Sequence, residues 1–216
     1  MAHIHLQDGA FSLPFTLLWW AVALILLGAC LYRLRTAGRL SGRQITTAAL
    51  CTAAAFAVFQ VSLPLFGGIH LTLTPLVGIL AGPVTGCVIV FLVNILSAAT
   101  GHGGWGLIGA NTLVSLAEVT VAALLFAGLR RMDATPGVRA GIATLVALAA
   151  GNAAMIGIIL VSGIQGVTQT AFSLLAGLSL IALVNMGAAV IESLVTALMI
   201  SYIARVRPVL LGEKEP

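Results

Sequence analysis

Charge is what this chain has least of. Only 7% of its 216 residues are charged, ten of them basic and six acidic, where a soluble domain carries about a quarter. So few charges cannot cover a water-facing surface, which excludes a soluble globular protein. The 60% hydrophobic content and the mean hydropathy of +1.15 point to an integral membrane protein. Lysine is nearly missing: Lys214 stands alone, and no Gly-rich phosphate loop with a following lysine exists, so the chain is not a P-loop ATPase. Cysteine is scarce too. Cys30, Cys51 and Cys87 all lie in apolar stretches without metal-ligand spacing and read as small core or lipid-facing residues. The formal charge of +4 is spread over short loops between apolar runs, so no nucleic-acid partner is implied, only membrane lipid. The length suits one transmembrane domain over residues 1–216 and leaves no room for a separate soluble one.

What the chain does have is a series of apolar runs. The first, 15–34, is long enough to cross about 30 Å of hydrocarbon. No positive charge precedes it, which argues against a cleaved signal peptide. Arg33, Arg35, Arg39 and Arg43 follow it, and by the positive-inside rule they mark a cytoplasmic end, so Met1 faces outward. Further spans are expected over 44–63, 70–82, 83–100, 106–129 and 140–163. The stretch 70–82 is short for a crossing and meets the next run at a tight cytoplasmic turn, Gly82-Pro83. The stretch 165–184 carries Gln165, Thr168, Gln169 and Thr170 and reads as a loop plus a partly embedded outer helix. The last span, 185–204, ends at Arg205 and Arg207.

The expected fold is therefore an all-α integral membrane protein of the cell membrane. It has about seven transmembrane helices, the N-terminus outside and the C-terminus cytoplasmic. Residues 1–14 form an extracytoplasmic segment and 205–216 a cytoplasmic tail. In this arrangement all nine arginines are cytoplasmic, and all four histidines, His3, His5, His70 and His102, are outside. No inverted repeat of the kind common in secondary transporters is visible.

Histidines on one face suggest a metal. With Met1 removed, the Ala2 amine, the His3 amide and the His3 ring supply three coplanar nitrogens and leave one position of a square open. With Met1 kept, the terminal amine, two amides and the ring supply all four. A square of nitrogens suits Ni(II) or Cu(II) better than tetrahedral Zn(II). A frayed tail that binds metal adventitiously is the other reading of these residues. His70, in Gly67-Gly68-Ile69-His70, can supply a fourth nitrogen, although a lone interfacial histidine is more often a hydrogen-bonding residue. His102, in Gly101-His102-Gly103-Gly104-Trp105, sits in a tight turn and reads as a support for the ligands rather than one of them. His5 is a further possible ligand, and Asn111, near the same mouth, can brace a histidine or the N-terminal segment.

Other polar residues lie inside the spans. Glu118 and Glu192 are read as structural, protonated or hydrogen-bonded to a neighbouring helix, and Asn94, Asn111 and Asn152 as ties between helices. Ala49, Ala53 and Ala57 repeat every four residues. They make a smooth stripe for close helix approach, on spacing alone within the bundle. Gly78, Gly82 and Gly86 share the spacing but straddle the proline turn.

Taken together these residues resemble the CbiM/NikM family, the substrate-binding (S) components of nickel/cobalt energy-coupling-factor transporters. Members typically begin Met-His-Ile-Pro-Asp-Gly; here the stretch is Ala2-His3-Ile4-His5-Leu6-Gln7-Asp8-Gly9. Gly68-Ile69-His70-Leu71 is similar to the family's Ser-x-His-Leu segment, and Leu80-Ala81-Gly82-Pro83 to a common turn. Gly101-His102-Gly103-Gly104 followed by Gly109-Ala110-Asn111-Thr112 matches its most specific internal motif, and Ile191-Glu192-x-x-x-Thr196 its last-helix pattern. The resemblance covers nearly the whole chain.

It implies seven helices with the N-terminal segment tucked in from outside. It implies Ni(II) or Co(II) as cargo, held by Ala2 (or Met1), His3 and His70. It also implies a non-catalytic subunit working with a transmembrane coupling protein, cytoplasmic ATPases and a small accessory membrane subunit. In such components a small-residue face on an early helix docks the coupling protein, which here falls on Ala49, Ala53 and Ala57. The chain departs from the pattern at the extra Ala2, at His5 in the usual proline region, and at Asn185, where many relatives carry histidine. Two other classes compete. A membrane sensor or scaffold would use the N-terminus structurally. An intramembrane enzyme would need a partner for Glu118 or Glu192, and no paired nucleophile or second carboxylate stands at useful spacing.

Overall fold

The computed structural model describes residues 8–38, 40–60, 62–63, 69–164 and 171–211. Among these are six α-helices: α1 (Leu13–Thr36), α2 (Gly42–Phe59), α3 (Thr74–Ala99), α4 (Ile108–Gly128), α5 (Pro136–Ser162) and α6 (Ala171–Val206). A short antiparallel ribbon pairs β1 (Ser62–Leu63) with β2 (Ile69–His70), Ser62 opposite His70. Five of the helices, all but α2, are long and apolar enough to cross a membrane. The all-helical membrane architecture expected from composition is present.

Local chemistry sets the helix starts. Ser41 and Gln44 form a reciprocal capping box at the head of α2, which satisfies two N–H groups that the first turn would otherwise leave free. The Thr135 hydroxyl accepts from the Val138 amide at the head of α5, and Pro136 follows it. α4 is the central helix, packed against α1, α3 and α5.

α3 is not one rod. Gly82, just before Pro83, has φ 76° and ψ 172°, a conformation open essentially to glycine alone. A straight 26-residue helix would be about 39 Å long. Yet Thr74 and Val77 line the same small cavity as Val90, Asn94 and Ser97, and Gly78 and Gly86 both lie against Val119 of α4. The arms 74–81 and 83–99 therefore fold back alongside each other about Gly82, as the turn expected at Gly82-Pro83 requires. The descending arm is short because its upper part, 71–73, is not helical.

α6 corrects the sequence reading. Instead of an outer helix over part of 165–184 and a separate span over 185–204, one unbroken helix of 36 residues runs from Ala171 to Val206. The polar residues that suggested a loop stop at Thr170 and lie outside the described residues. From Ala171 onward no proline or charge interrupts the apolar run until Glu192, so nothing breaks the i→i−4 ladder. Another correction concerns Asn94, whose amide donates to Val90 one turn back on its own helix rather than to a neighbour. Asn152 does join helices, accepting from Asn185 at 3.0 Å between α5 and α6.

The bundle has two chemically distinct ends. One holds Asp8, His70 and His102. At the other the Arg130 guanidinium donates to the Leu211 carbonyl, and Arg139 stacks over the Phe126 ring at 5.3 Å. Gly82→Ala is expected to destabilise the fold by about 1–3 kcal/mol, read as a lower thermal unfolding midpoint in detergent. Gly28→Ala, inside α1 with open space around it, should be neutral or slightly stabilising.

Candidate metal centre

The histidine end is assembled from three segments distant in sequence. α2 ends at Phe59, β2 ends at His70, and α3 ends before His102. The rings of Phe59, His70 and His102 pack on one another, with centroids 5.7 Å apart for Phe59–His70, 6.0 Å for Phe59–His102 and 5.5 Å for His70–His102. Gln60 donates to the Thr100 hydroxyl at 3.2 Å and ties the ends of α2 and α3.

The orientation of His70 follows from one hydrogen bond. Its Nδ1 lies 3.1 Å from the Phe59 carbonyl oxygen. A carbonyl only accepts, so Nδ1 carries the proton. In the neutral ring Nε2 is then left with a lone pair, the tautomer a metal ligand needs. Burial lowers the His70 pKa and the neighbouring His102 lowers it further, while the Phe59 carbonyl acts in the opposite direction. The net shift favours the neutral, ligating form.

His102 is positioned by the way α3 ends. Its N–H bonds to the Ser97 carbonyl at 2.8 Å, and the Gly101 N–H to the Ala98 carbonyl at 3.1 Å. Gly101 has φ 83°. This is a Schellman termination, and it explains the glycine before His102. The His102 Nδ1 is buried and has no hydrogen-bond partner among the described residues.

Gly104 has a different task. A Cβ there would run into the Asp8 backbone nitrogen and carboxylate. Asp8 accepts from the Gly106 amide at 2.7 Å through one oxygen and from the Trp105 amide at 3.1 Å through the other. Phe11, three residues later, is buried among Leu107, Ala110, Ile159 and Leu178. The polypeptide leading into α1 is thus fastened to the turn that follows His102. Sequence reasoning used Asp8 only as a motif match. An aspartate opposite a Gly-Gly-Trp-Gly turn with free amides was the signal available.

Beneath His70 the chain is held by Glu192. This side chain is fully buried on α6 and accepts three hydrogen bonds. They come from the Thr72 N–H at 3.1 Å, the Thr72 hydroxyl at 2.9 Å and the Leu73 N–H at 2.9 Å. Leu73 has φ 53° and is the one non-glycine residue with positive φ among those described. The partners of Glu192 are the non-helical backbone between His70 and α3. Glu118 is buried at the centre of the bundle, against Gly151 of α5, where any side chain would collide with its carboxylate.

His70 and His102 are therefore brought together. Met1, Ala2, His3 and His5 lie outside the described residues. Asn111 is buried in the first turns of α4, and no hydrogen bond joins it to His70 or His102 among the described residues. Ala49, Ala53 and Ala57 are all exposed on α2, so the stripe is not packed inside this bundle. The buried face of α2 is Cys51, Ala55 and Phe59.

Asp8→Ala should release the Trp105 and Gly106 amides. Hydrogen bonds to a charged group contribute about 1.5–3 kcal/mol, so exchange of those two amides, followed by hydrogen–deuterium exchange, is expected to accelerate about 10- to 100-fold.

Residues 5–210 match the CbiM family, described as the cobalt uptake substrate-specific transmembrane region. Two proteins of Methanocorpusculum labreanum are similar. One, a putative cobalt transport protein CbiM 2, is 26% identical over 220 residues, covering 96% of this chain and 92% of that protein. The other, CbiM 1, is 27% identical over 217 residues with the same coverage. A crystal structure described as a transition metal transporter has the same fold, with a TM-score of 0.79, 17% identity, and coverage of 94% of this chain and 93% of that one. A truncated transition metal transporter gives 0.75 at 18% identity, covering 94% and 99%. With nearly its whole length matched, the chain belongs to the CbiM family of cobalt-uptake substrate-specific transmembrane components.

Proposed function

We propose that the chain captures Ni(II) or Co(II) at its histidine end and hands it inward in an importer driven by partner ATPases. The observation that carries this is the His70 ring. It is fixed by the Phe59 carbonyl with Nε2 free to coordinate, and it lies beside His102 and the Asp8 fastening of the N-terminal segment. The ligand set we assign is the terminal amine of Ala2 (of Met1 if it is retained), the amide and ring nitrogens of His3, and His70, with His5 able to exchange in. His102 and Asn111 support the ligands. Four nitrogens of this kind form a square plane, natural for low-spin Ni(II) and accessible to Co(II). Cu(II) would bind more tightly still, so the choice of ion rests on availability and closure of the mouth.

The direction of transport follows from orientation. We assign seven alternating crossings, α2 and the two arms of α3 among them, with the N-terminus and the histidines outside and the arginines inside, the orientation that the positive-inside rule favours. Supporting this, Arg130 and Arg139 share one end of the bundle and His70 and His102 the other. The chain is a non-catalytic subunit. Its energy comes from cytoplasmic ATPases through a transmembrane coupling protein, with a small accessory membrane subunit as a further partner. The exposed stripe Ala49, Ala53 and Ala57 on α2 is smooth enough for a partner helix to approach closely, and we assign the coupling protein to it.

Titration of the purified protein with Ni(II) and with Co(II) tests the site. His3→Ala and His70→Ala should each weaken binding by more than the ~10- to 100-fold typical of losing a supporting partner. N-terminal acetylation should weaken it as well. Retained tight binding in the double variant would sink the ligand assignment, and mass spectrometry of the native N-terminus would show which amine is free. Ala53→Trp should block co-purification of the coupling protein from membranes expressing both, while the variant stays folded. Unaltered co-purification would move the docking surface elsewhere.

A further inference from the structure

His70 is the ligand whose position depends on the most unusual backbone in the described chain. Below it, residues 71–73 are neither strand nor helix, Thr72 and Leu73 are buried, and Leu73 adopts a left-handed conformation that costs an L-residue about 1–2 kcal/mol. Buried N–H groups in such a stretch have no ladder to join. Glu192 receives two of them and the Thr72 hydroxyl, and the Thr72 hydroxyl in turn accepts from the Thr74 N–H at 3.3 Å at the first turn of α3. Above it, His70 is held by pairing with Ser62 and by the Phe59 carbonyl.

We infer that Glu192 is a positioning residue for ion capture, setting the height at which His70 meets the metal without touching the metal itself. This rests on the assignment of His70 as a ligand. The argument is one of length. An extended residue rises about 3.3 Å and a helical one about 1.5 Å. Leu73 is already compact in its left-handed turn, so if Thr72 relaxes into α3 and Leu73 turns right-handed with it, the segment shortens by roughly 2 Å and changes direction. Metal–ligand distances tolerate only about 0.2 Å. Losing the carboxylate therefore withdraws the His70 nitrogen, although every ligand residue is still present. Glu192 also sits on α6, the unbroken helix that runs on to Arg205, so the grip on His70 belongs to an element that reaches the opposite end of the bundle.

The test is the visible d–d spectrum and affinity of the full-length protein loaded with Ni(II) alone, comparing wild type, His70→Ala, Glu192→Gln and Thr72→Val. A glutamine keeps the shape but faces the Thr72 or Leu73 N–H with its own N–H₂. Glu192→Gln is expected to bind Ni(II) about 10- to 100-fold more weakly and to show the spectrum of His70→Ala. Thr72→Val, which removes one of the three donors, should weaken binding several-fold and give a spectrum between the two. A Glu192 that served only the fold would lower the unfolding temperature and leave the spectrum of bound Ni(II) as in wild type, and that result overturns the inference. Should Glu192→Gln fail to yield folded protein, Thr72→Val decides alone, and wild-type affinity and spectrum in it overturn the inference. A wild-type spectrum in His70→Ala itself would instead remove His70 from the ligand set, and the inference with it.

Discussion

A polypeptide inside a bilayer has no water to satisfy its N–H and C=O groups, so every departure from a helix must bring its own partner. The histidine end of this protein depends on that constraint at one place. To present His70, the chain descends through three non-helical residues before α3 begins, and buried amides there would each cost on the order of 1–3 kcal/mol if left alone. The Glu192 carboxylate resolves this. It accepts from Thr72 and Leu73 and permits the left-handed turn at Leu73 that starts the short arm of α3. The same contact explains how an acidic side chain can sit fully buried on α6. Donors from Thr72 and Leu73 in fixed positions stand in for its hydration.

The second constraint is where the chain doubles back. The arms of α3 can lie side by side because Gly82 takes a conformation closed to other residues, and the Gly101 termination delivers His102 next to His70. Gly104 then leaves room for Asp8 to reach the Trp105 and Gly106 amides. The glycine-rich segment around His102 thus has separate duties: ending a helix, and admitting a second strand of backbone. Neither requires that a glycine touch the ion.

In the function proposed above, the component offers an ion site and a surface to partner subunits. Here these lie on different parts of the bundle. The proposed ion site is at the histidine end, where α2 contributes the Phe59 carbonyl. The small-residue stripe of α2 lies on its exposed side, away from the buried Cys51, Ala55 and Phe59 face. α2 therefore carries part of each proposed site and packs chiefly against α3. α6 also connects the two ends, through Glu192 on one side and the Arg205 terminus on the other.

Much of this was legible from residue types alone. Sparse charge and long apolar runs dictate a helical membrane protein, because each property is additive along the chain and needs no partner. That Arg130 and Arg139 share one end and His70 and His102 the other follows from their positions between those runs. Gly82-Pro83 announces a break, since both residues act through their own backbone. Other features were beyond reach for one reason: they are made by residues far apart in sequence. The extent of α6 was misjudged because polar residues up to Thr170 looked like part of the element rather than its approach. Glu192 could be read as a buried acid in need of donors but not given them, since they lie some 120 positions away. Asp8 was a motif letter until its carboxylate met the amides of Trp105 and Gly106, and the His70 tautomer was unknowable until Phe59 stood beside it. Composition and local propensity determined that the chain crosses a membrane and where it bends. Only tertiary packing decided which carbonyl, carboxylate and ring face each histidine, because hydrogen bonds between distant segments exist only after the helices have come together.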